Sequence, residues 1–180
     1  MNLELLIELF GALAGIIYVV LEVLKRRVMW VVGIVTSLVY IYVFVHAGFY
    51  AMAGLNVYYV AISIYGLWRW KVAPEISRIQ KRTALLCLLS TGVVFLLLTL
   101  ILGRFSNASL PYADALITSM SIVATWMLSR SYIEQWWIWI AANLLAVCVY
   151  GEQGLYPTAL LYIVYTAAAV IGLKKWRKAL

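Results

Sequence analysis

The stretch RRVMWVVGIVTSLVYIYVFVHAGFYAMAGLNVYYVAISIYGLWRW, residues 26–70, returns 106 positions later as YIEQWWIWIAANLLAVCVYGEQGLYPTALLYIVYTAAAVIGLKKW, residues 132–176. Trp30 falls on Trp136, Gly48 on Gly154, Tyr50 on Tyr156, Tyr59 on Tyr165, Gly66 on Gly172 and Trp70 on Trp176, within 13 identities over 45 ungapped positions. A shared apolar character would not by itself align the scarce tryptophans and glycines. An internal duplication in a hydrophobic chain is how many secondary transporters are built, with a substrate site between the repeats near the bilayer midplane.

Working outward, the rest of the chain is as apolar as the repeat. Hydrophobic residues make up 66% and charged residues 12%, against roughly 45–50% and about 25% in a soluble domain. The uncharged runs are Leu9 to Leu21, Val28 to Val45, Phe49 to Leu67, Thr83 to Gly103, Ala115 to Ser129, Gln135 to Tyr150 and Gly154 to Leu173. Each reaches or approaches the ~20 residues that cross a hydrocarbon core as a helix. The expected fold is all-α: an integral membrane protein of seven transmembrane helices filling one membrane domain, residues 1–180. Its first run opens with Glu4 and Glu8 rather than a basic segment, so it reads as a retained helix and not a signal peptide. Cys87 and Cys148 lie inside predicted spans, where thiols behave as small hydrophobes.

The net charge of +7 is arranged for a membrane and not for nucleic acid. Thirteen of the fourteen basic residues, Arg104 excepted, fall in the connections after spans one, three and five or at the carboxyl end. Basic residues near span ends stay in the cytoplasm. The amino terminus is therefore expected outside and the carboxyl terminus in the cytoplasm of a bacterial inner membrane. A three-helix repeat reverses direction at each copy unless one helix stands between the copies, and Thr83 to Gly103 supplies that helix. The expected plan is three-plus-one-plus-three: a first repeat at 3–73, a linking helix at 83–103 and a parallel second repeat at 110–178.

On span six, Trp136, Trp139, Asn143 and Tyr150 fall within a stripe of about 60° at 100° per residue. The matching stripe carries Asn56, Tyr59, Ser63, Gly66 and Trp70 on span three, and Tyr162, Tyr165, Gly172 and Trp176 on span seven. On span two, Trp30, Ser37 and Phe44 are in register with Trp136, Asn143 and Tyr150. An amide facing lipid costs several kcal/mol, so Asn56 and Asn143 should face inward. There they either join helices, worth on the order of 0.6 kcal/mol, or contact a ligand packed between indole and phenol faces. Trp30, Trp68, Trp70, Trp136, Trp137 and Trp176 lie near span ends, where indoles anchor at the membrane interface. Trp139 and Trp126 are the better ligand candidates among the indoles. A cavity of Trp and Tyr with no buried basic residue suits a flat, cationic aromatic molecule.

Glu8 and Asp114 are repeat equivalents near the outer ends of their helices. Each is either a partner for the helix dipole or part of an acidic vestibule drawing in a cation. Glu22 is expected to pair with Lys25 or Arg26, and Glu134 with Arg130, at the cytoplasmic surface. The chain shows no His-Glu-x-x-His motif, no phosphate-cradling glycine loop and no membrane-buried pair of carboxylates of the kind that relays ions. No enzyme activity, cofactor or metal is expected. Gly33, Gly48, Gly66, Gly154 and Gly172 are expected to permit close helix approach.

Ser63-Ile64-Tyr65-Gly66-Leu67-Trp68-Arg69-Trp70, the span-six segment from Glu134 to Asn143 with its Trp-x-x-Trp-x-x-x-Asn pattern, and the stretch from Pro111 to Trp126 together resemble the PnuC family of bacterial vitamin transporters. The resemblance implies facilitated diffusion of a phosphate-free vitamin, retained in the cell by phosphorylation. It also implies a site built by the span-six motif with spans three and seven. Leu21-Glu22 and the segment from Phe49 to Tyr59 look more like the thiamine branch than the nicotinamide riboside branch, so thiamine is the expected cargo and nicotinamide riboside the alternative. Asn56 stands where many relatives of this kind have glutamine. A sugar carrier of the SWEET type shares the helix plan but should show paired hinge prolines, and Pro157 faces Ala51 in the repeat. A seven-span receptor is disfavoured by the duplication. Expected partners are the vitamin and the lipid bilayer, with no nucleic acid; a homo-oligomer is left open.

Overall fold

The structure is a computed structural model that describes residues 3–72, 75–105 and 110–180. The side chains of residues 3, 4, 5, 8, 51, 102, 103 and 105, and the whole of Pro74, fall outside that description. Among the described residues the chain is all-α: α1 (Leu3–Val23), α2 (Val28–His46), α3 (Tyr50–Arg69), α4 (Lys81–Phe105), α5 (Pro111–Ser129), α6 (Gln135–Glu152) and α7 (Tyr156–Arg177). They run from 18 residues in α6 to 25 in α4, on the order of 27 to 38 Å at the α-helical rise, against a hydrocarbon core of ~30 Å. α1 and α4 begin before their uncharged runs do, α1 taking in Glu4 and Glu8 and α4 taking in Lys81 and Arg82. Charged side chains at a membrane helix end reach out to the interface, so an apolar run marks less than the whole helix.

α2, α4 over Lys81–Ile101, and α7 are long and apolar enough to be recognised as membrane-crossing on length and composition alone. α5 and α6 match α2 in length to within a residue, but carry polar residues inward: α5 buries Ser119, Thr125 and Ser129, and α6 buries Gln135 and Asn143. The α5 hydroxyls donate back into their own helix, Ser119 Oγ to the Leu116 carbonyl and Thr125 Oγ1 to the Ser121 carbonyl, each at 2.8 Å. That pairing removes the cost of burying them away from water.

The chain divides into two compact units, Met1–Glu75 and Ile76–Leu180. In the first, α2 packs against both α1 and α3; in the second, α6 packs against α5 and α7, and α4 packs on α5. The connection leading into α4 is tied to the α5–α6 turn inside the second unit. Ser77 and Tyr132 form an isolated parallel bridge, and the Ile79 N–H donates to Glu134 Oε2 at 3.0 Å. Glu134 accepts from the chain backbone, and the Arg130 guanidinium lies over the Trp126 ring at 5.5 Å.

The turns of the two units are the same turns. Among the described residues only Lys25 (φ 55°) and Ser131 (φ 59°) are non-glycines with positive φ, and the positive-φ glycines are Gly48 (78°) and Gly154 (73°); both pairs are separated by 106 positions. Each of these residues follows a helix and sits inside the same pair of closing bonds. Arg26 N donates to Leu21 O and Tyr132 N to Met127 O; Phe49 N donates to Phe44 O and Leu155 N to Tyr150 O. With the shorter bonds Lys25 N to Glu22 O, Ser131 N to Leu128 O, Gly48 N to Val45 O and Gly154 N to Gly151 O, these are Schellman closures that satisfy the last carbonyls of each helix. Gly48 and Gly154 were expected at close helix contacts. They face open space instead, and their role is the left-handed turn that a Cβ disfavours. Burial lowers the Lys25 ammonium from its ordinary pKa. Ser131→Gly is expected to stabilise the detergent-purified protein by about 1 kcal/mol and Gly154→Ala to destabilise it by about the same amount. Thermal denaturation reads both, and equal signs for the two would refute the strained-turn account.

The same core also recurs. Trp30 meets Trp70 edge-on at 5.5 Å and 88°, and Trp136 meets Trp176 at 5.4 Å and 90°. All four are at most 2% exposed. A methyl added at Gly66 would collide with the Trp30 ring, and one added at Gly172 with the Trp136 ring. These four indoles are therefore core and not interfacial anchors: a glycine on the partner helix opens a slot that takes the Trp30 and Trp136 rings, and Trp70 and Trp176 close on them edge-on. Trp68 and Trp137 are each 60% exposed, as an interfacial indole would be.

Candidate functional site in the second unit

Four of the expected site residues come together where α5 begins. Tyr150 of α6 stacks on Tyr162 of α7 at 5.3 Å with rings 29° apart, and Tyr162 meets Tyr165 edge-on at 5.6 Å. A hydrogen bond also joins the Tyr150 and Tyr162 side chains, and the Asp114 carboxylate is near enough for its charge to act on the Tyr150 phenol. Tyr150 and Tyr162 rest on a core of Ile117, Ala146 and Val149. The arrangement is a run of three phenol faces with a carboxylate beside its first member, able to hold a flat ring and favour a positive one. Glu8, the expected counterpart of Asp114, has its side chain outside the described residues.

Farther along α6, Asn143 is 5% exposed and Trp139 turns a buried indole N–H, without a hydrogen-bond partner, to the same helix face. Trp139 and Tyr150 are eleven residues apart, ~16 Å along the axis. An extended two-ring molecule could be held along this line. Trp136 shares the stripe, but its ring is taken up by the Gly172 slot on α7. Trp126 is likewise taken up elsewhere, tilted against Tyr132 at 6.2 Å and under Arg130. That guanidinium occupies the ring face a cationic ligand would need.

In the first unit, Ser37 is buried at 6%, matching its repeat mate Asn143 at 5%. Tyr59 is half-buried and tilted against Tyr58 at 5.5 Å. Asn56 is half-buried and donates Nδ2 to the Met52 carbonyl of its own helix at 2.9 Å, so part of its amide is already used locally. Glu22, expected at the surface, is only 2% exposed and stands one turn after Tyr18 on α1.

Gln135 was not among the expected site residues. It opens α6, is fully buried, and neither amide atom has a hydrogen-bond partner. The signal was present in the spacing: Gln135, Trp139, Ala142, Ala146 and Val149 follow a four-three-four-three rhythm down the buried face, and Gln135 aligns with Met29 in the repeat.

The family described as the nicotinamide mononucleotide transporters matches residues 5–178. The chain is 24% identical over 201 aligned positions to the nicotinamide riboside transporter PnuC of Escherichia coli strain K12, covering 94% of this chain and 84% of the relative. It is 23% identical to the riboflavin/roseoflavin transporter RibM of Streptomyces davaonensis, covering 94% and 83%. The crystal structure of the vitamin B3 transporter PnuC superposes with a TM-score of 0.73 at 24% identity, covering 94% of this chain and 80% of that one. The cargoes in these names are nicotinamide mononucleotide, nicotinamide riboside, vitamin B3, riboflavin and roseoflavin; thiamine, the cargo expected from the sequence, is not among them.

Proposed function

The chain belongs to the nicotinamide mononucleotide transporter family, a family of integral membrane transporters and not enzymes, and from that premise we propose that it takes up a phosphate-free vitamin by facilitated diffusion, with nicotinamide riboside the cargo favoured over thiamine. The observation that carries this reading is the match across nearly the whole chain to a relative named for that riboside. The chemistry of the second unit fits it. The run Tyr150, Tyr162, Tyr165 offers aromatic faces to a cationic pyridinium, while Asn143 and the Trp139 N–H offer hydrogen bonds to a sugar or carboxamide. No lysine or arginine is among those site residues, and a transferred phosphate would need one. A riboside therefore suits the site better than the mononucleotide of the family's description. Thiamine shares the cationic ring and remains the second reading.

The vitamin is held in the cell by phosphorylation after it crosses, so the carrier itself needs no ion gradient. The concentration of basic residues in alternate connections supports an outside amino terminus and a cytoplasmic carboxyl terminus in a bacterial inner membrane. Uptake of nicotinamide riboside into vesicles loaded with purified protein should equilibrate without accumulation, and imposed proton or sodium gradients should leave it unchanged. Gradient-driven accumulation would overturn the uniport. Trp139→Phe and Asn143→Leu should each weaken riboside binding about ten-fold or more, since each leaves a ligand group without its partner, and circular dichroism should stay native. Calorimetry showing unchanged affinity would return both residues to a packing role.

A further inference from the structure

The turn between the first two helices of each repeat is the same backbone in both units, but it is covered differently. In the second unit the chain itself covers it: Ser77 N donates to Ser131 O at 3.1 Å and Ile133 N to Ser77 O at 3.0 Å. In the first unit the three equivalent positions are Lys25, Arg26 and Arg27, and both arginines are exposed. Three consecutive cations thus stand where the other copy has serine, tyrosine and isoleucine, on a turn with the same left-handed residue and the same closing bonds. The turn does not need them to form.

Keeping basic residues at one membrane face does not require them to converge, yet here they do. Arg27 Nε donates to the Leu67 carbonyl at 3.1 Å, one of the last carbonyls of α3. That bond fastens the α1–α2 turn to the helix end that carries Arg69 and Lys71, both exposed. With Nε engaged, the two Nη groups are left as a planar fork, a shape that takes a phosphodiester through paired hydrogen bonds. Against these five cations the described carboxylates of the unit are Glu75, exposed four residues past Lys71, and Glu22, only 2% exposed. The margin of the same end is apolar: Leu24 is 45%, Val28 59% and Trp68 60% exposed. An acidic protein or a free phosphate would leave those side chains in water. A phospholipid offers both counterparts, a phosphodiester at the charges and acyl chain at the apolar margin, with an indole at the boundary.

We propose that the α1–α2 turn and the end of α3 form a binding surface for the headgroup of an anionic phospholipid, with the Arg27 guanidinium holding its phosphate. The second unit is built otherwise. Its basic residues Lys174, Lys175 and Arg177 lie on a single helix end, beside no basic turn. Each cation near an anionic headgroup adds to the attraction, and salt screens it, so the surface selects net negative lipids and loses that preference at high ionic strength.

Native mass spectrometry of the full chain, purified in a neutral detergent and offered equal amounts of phosphatidylglycerol and phosphatidylcholine, tests this. The anionic lipid should be retained over the other about five-fold or more, and equal retention would overturn the proposal. Arg26→Gln combined with Arg69→Gln removes one charge from each side of the surface, spares the Arg27–Leu67 bond, and should bring the preference to within about two-fold. Lys174→Gln combined with Lys175→Gln removes the same charge from α7 and should leave the preference intact. Equal losses in the two pairs would mean that net charge alone attracts the lipid, and the surface would fall. Arg27→Lys keeps the charge and the orientation of the helices but loses the fork, so it should lower the preference about two-fold or more; no change would overturn the role of Arg27. Excess glycerol 3-phosphate, the headgroup chemistry without acyl chains, should not displace the lipid. Displacement would assign the surface to a soluble phosphate instead.

Discussion

Trp136→Ala is expected to destabilise the second unit by about 3 kcal/mol, and Trp30→Ala the first unit by the same amount. Truncating a buried tryptophan costs about 3–5 kcal/mol in water-soluble cores, through lost transfer energy and the cavity left behind. In a bilayer the transfer component shrinks, because lipid tails are as apolar as the interior. The cavity component remains: Trp176, edge-on to the ring at 5.4 Å, and the bare backbone at Gly172 lose their contacts with it. Because Trp30 has the same partner geometry, with Trp70 at 5.5 Å and Gly66 beneath it, the two penalties should agree within about 1 kcal/mol. Denaturant titration of detergent-solubilised protein measures both. Loss at one tryptophan and none at the other would sink the claim that the units share one core.

Gly172→Ala is expected to cost about 1–3 kcal/mol by overpacking, with Gly66→Ala matching it. A Cβ at either position would overlap the six-membered part of a ring that is 1% exposed at Trp136 and 0% at Trp30. An indole has two side-chain torsions and no slack in such a slot, so the helices must part or the ring must leave its rotamer. The double variant discriminates this from a general effect of glycine removal. With Trp136 already alanine, the new methyl enters the cavity, so Gly172→Ala should become neutral or mildly stabilising. Additive penalties would refute the slot. Riboside uptake should fall with Gly172→Ala as well, since Trp136 shares the α6 face that carries Trp139 and Asn143.

Much of the architecture was readable because it depends on quantities a sequence states directly. The duplication shows in Trp30/Trp136 and Gly66/Gly172 since the slot and its ring must change together. Helix number follows from the length an apolar run needs to cross lipid. The inward face of α6 was legible from the spacing of Trp139, Asn143 and Tyr150, because 3.6 residues per turn fix which side chains align. Cargo was less legible. The riboside and thiamine both present a cationic aromatic ring, and the features that separate them are a few polar contacts with no periodicity.

Where a side chain's partners come from other helices, residue type alone did not decide its role. Four of the indoles that resembled interfacial anchors are core: the glycine opposite admits the Trp30 and Trp136 rings, and Trp70 and Trp176 pack on those rings. Gly48 and Gly154 serve backbone torsion and not helix approach, a distinction set by the chain's path at the turn. Trp126 is covered by Arg130, Glu134 accepts from the Ile79 backbone, and Glu22 is buried one turn after Tyr18. Gln135 is the clearest case. By itself the sequence determined the repeat, the helices and the apolar faces, because periodicity and composition are local properties of the chain. Whether a polar group inside that fold finds a partner depends on atoms far away in sequence, and only the tertiary structure decided that Gln135 has none.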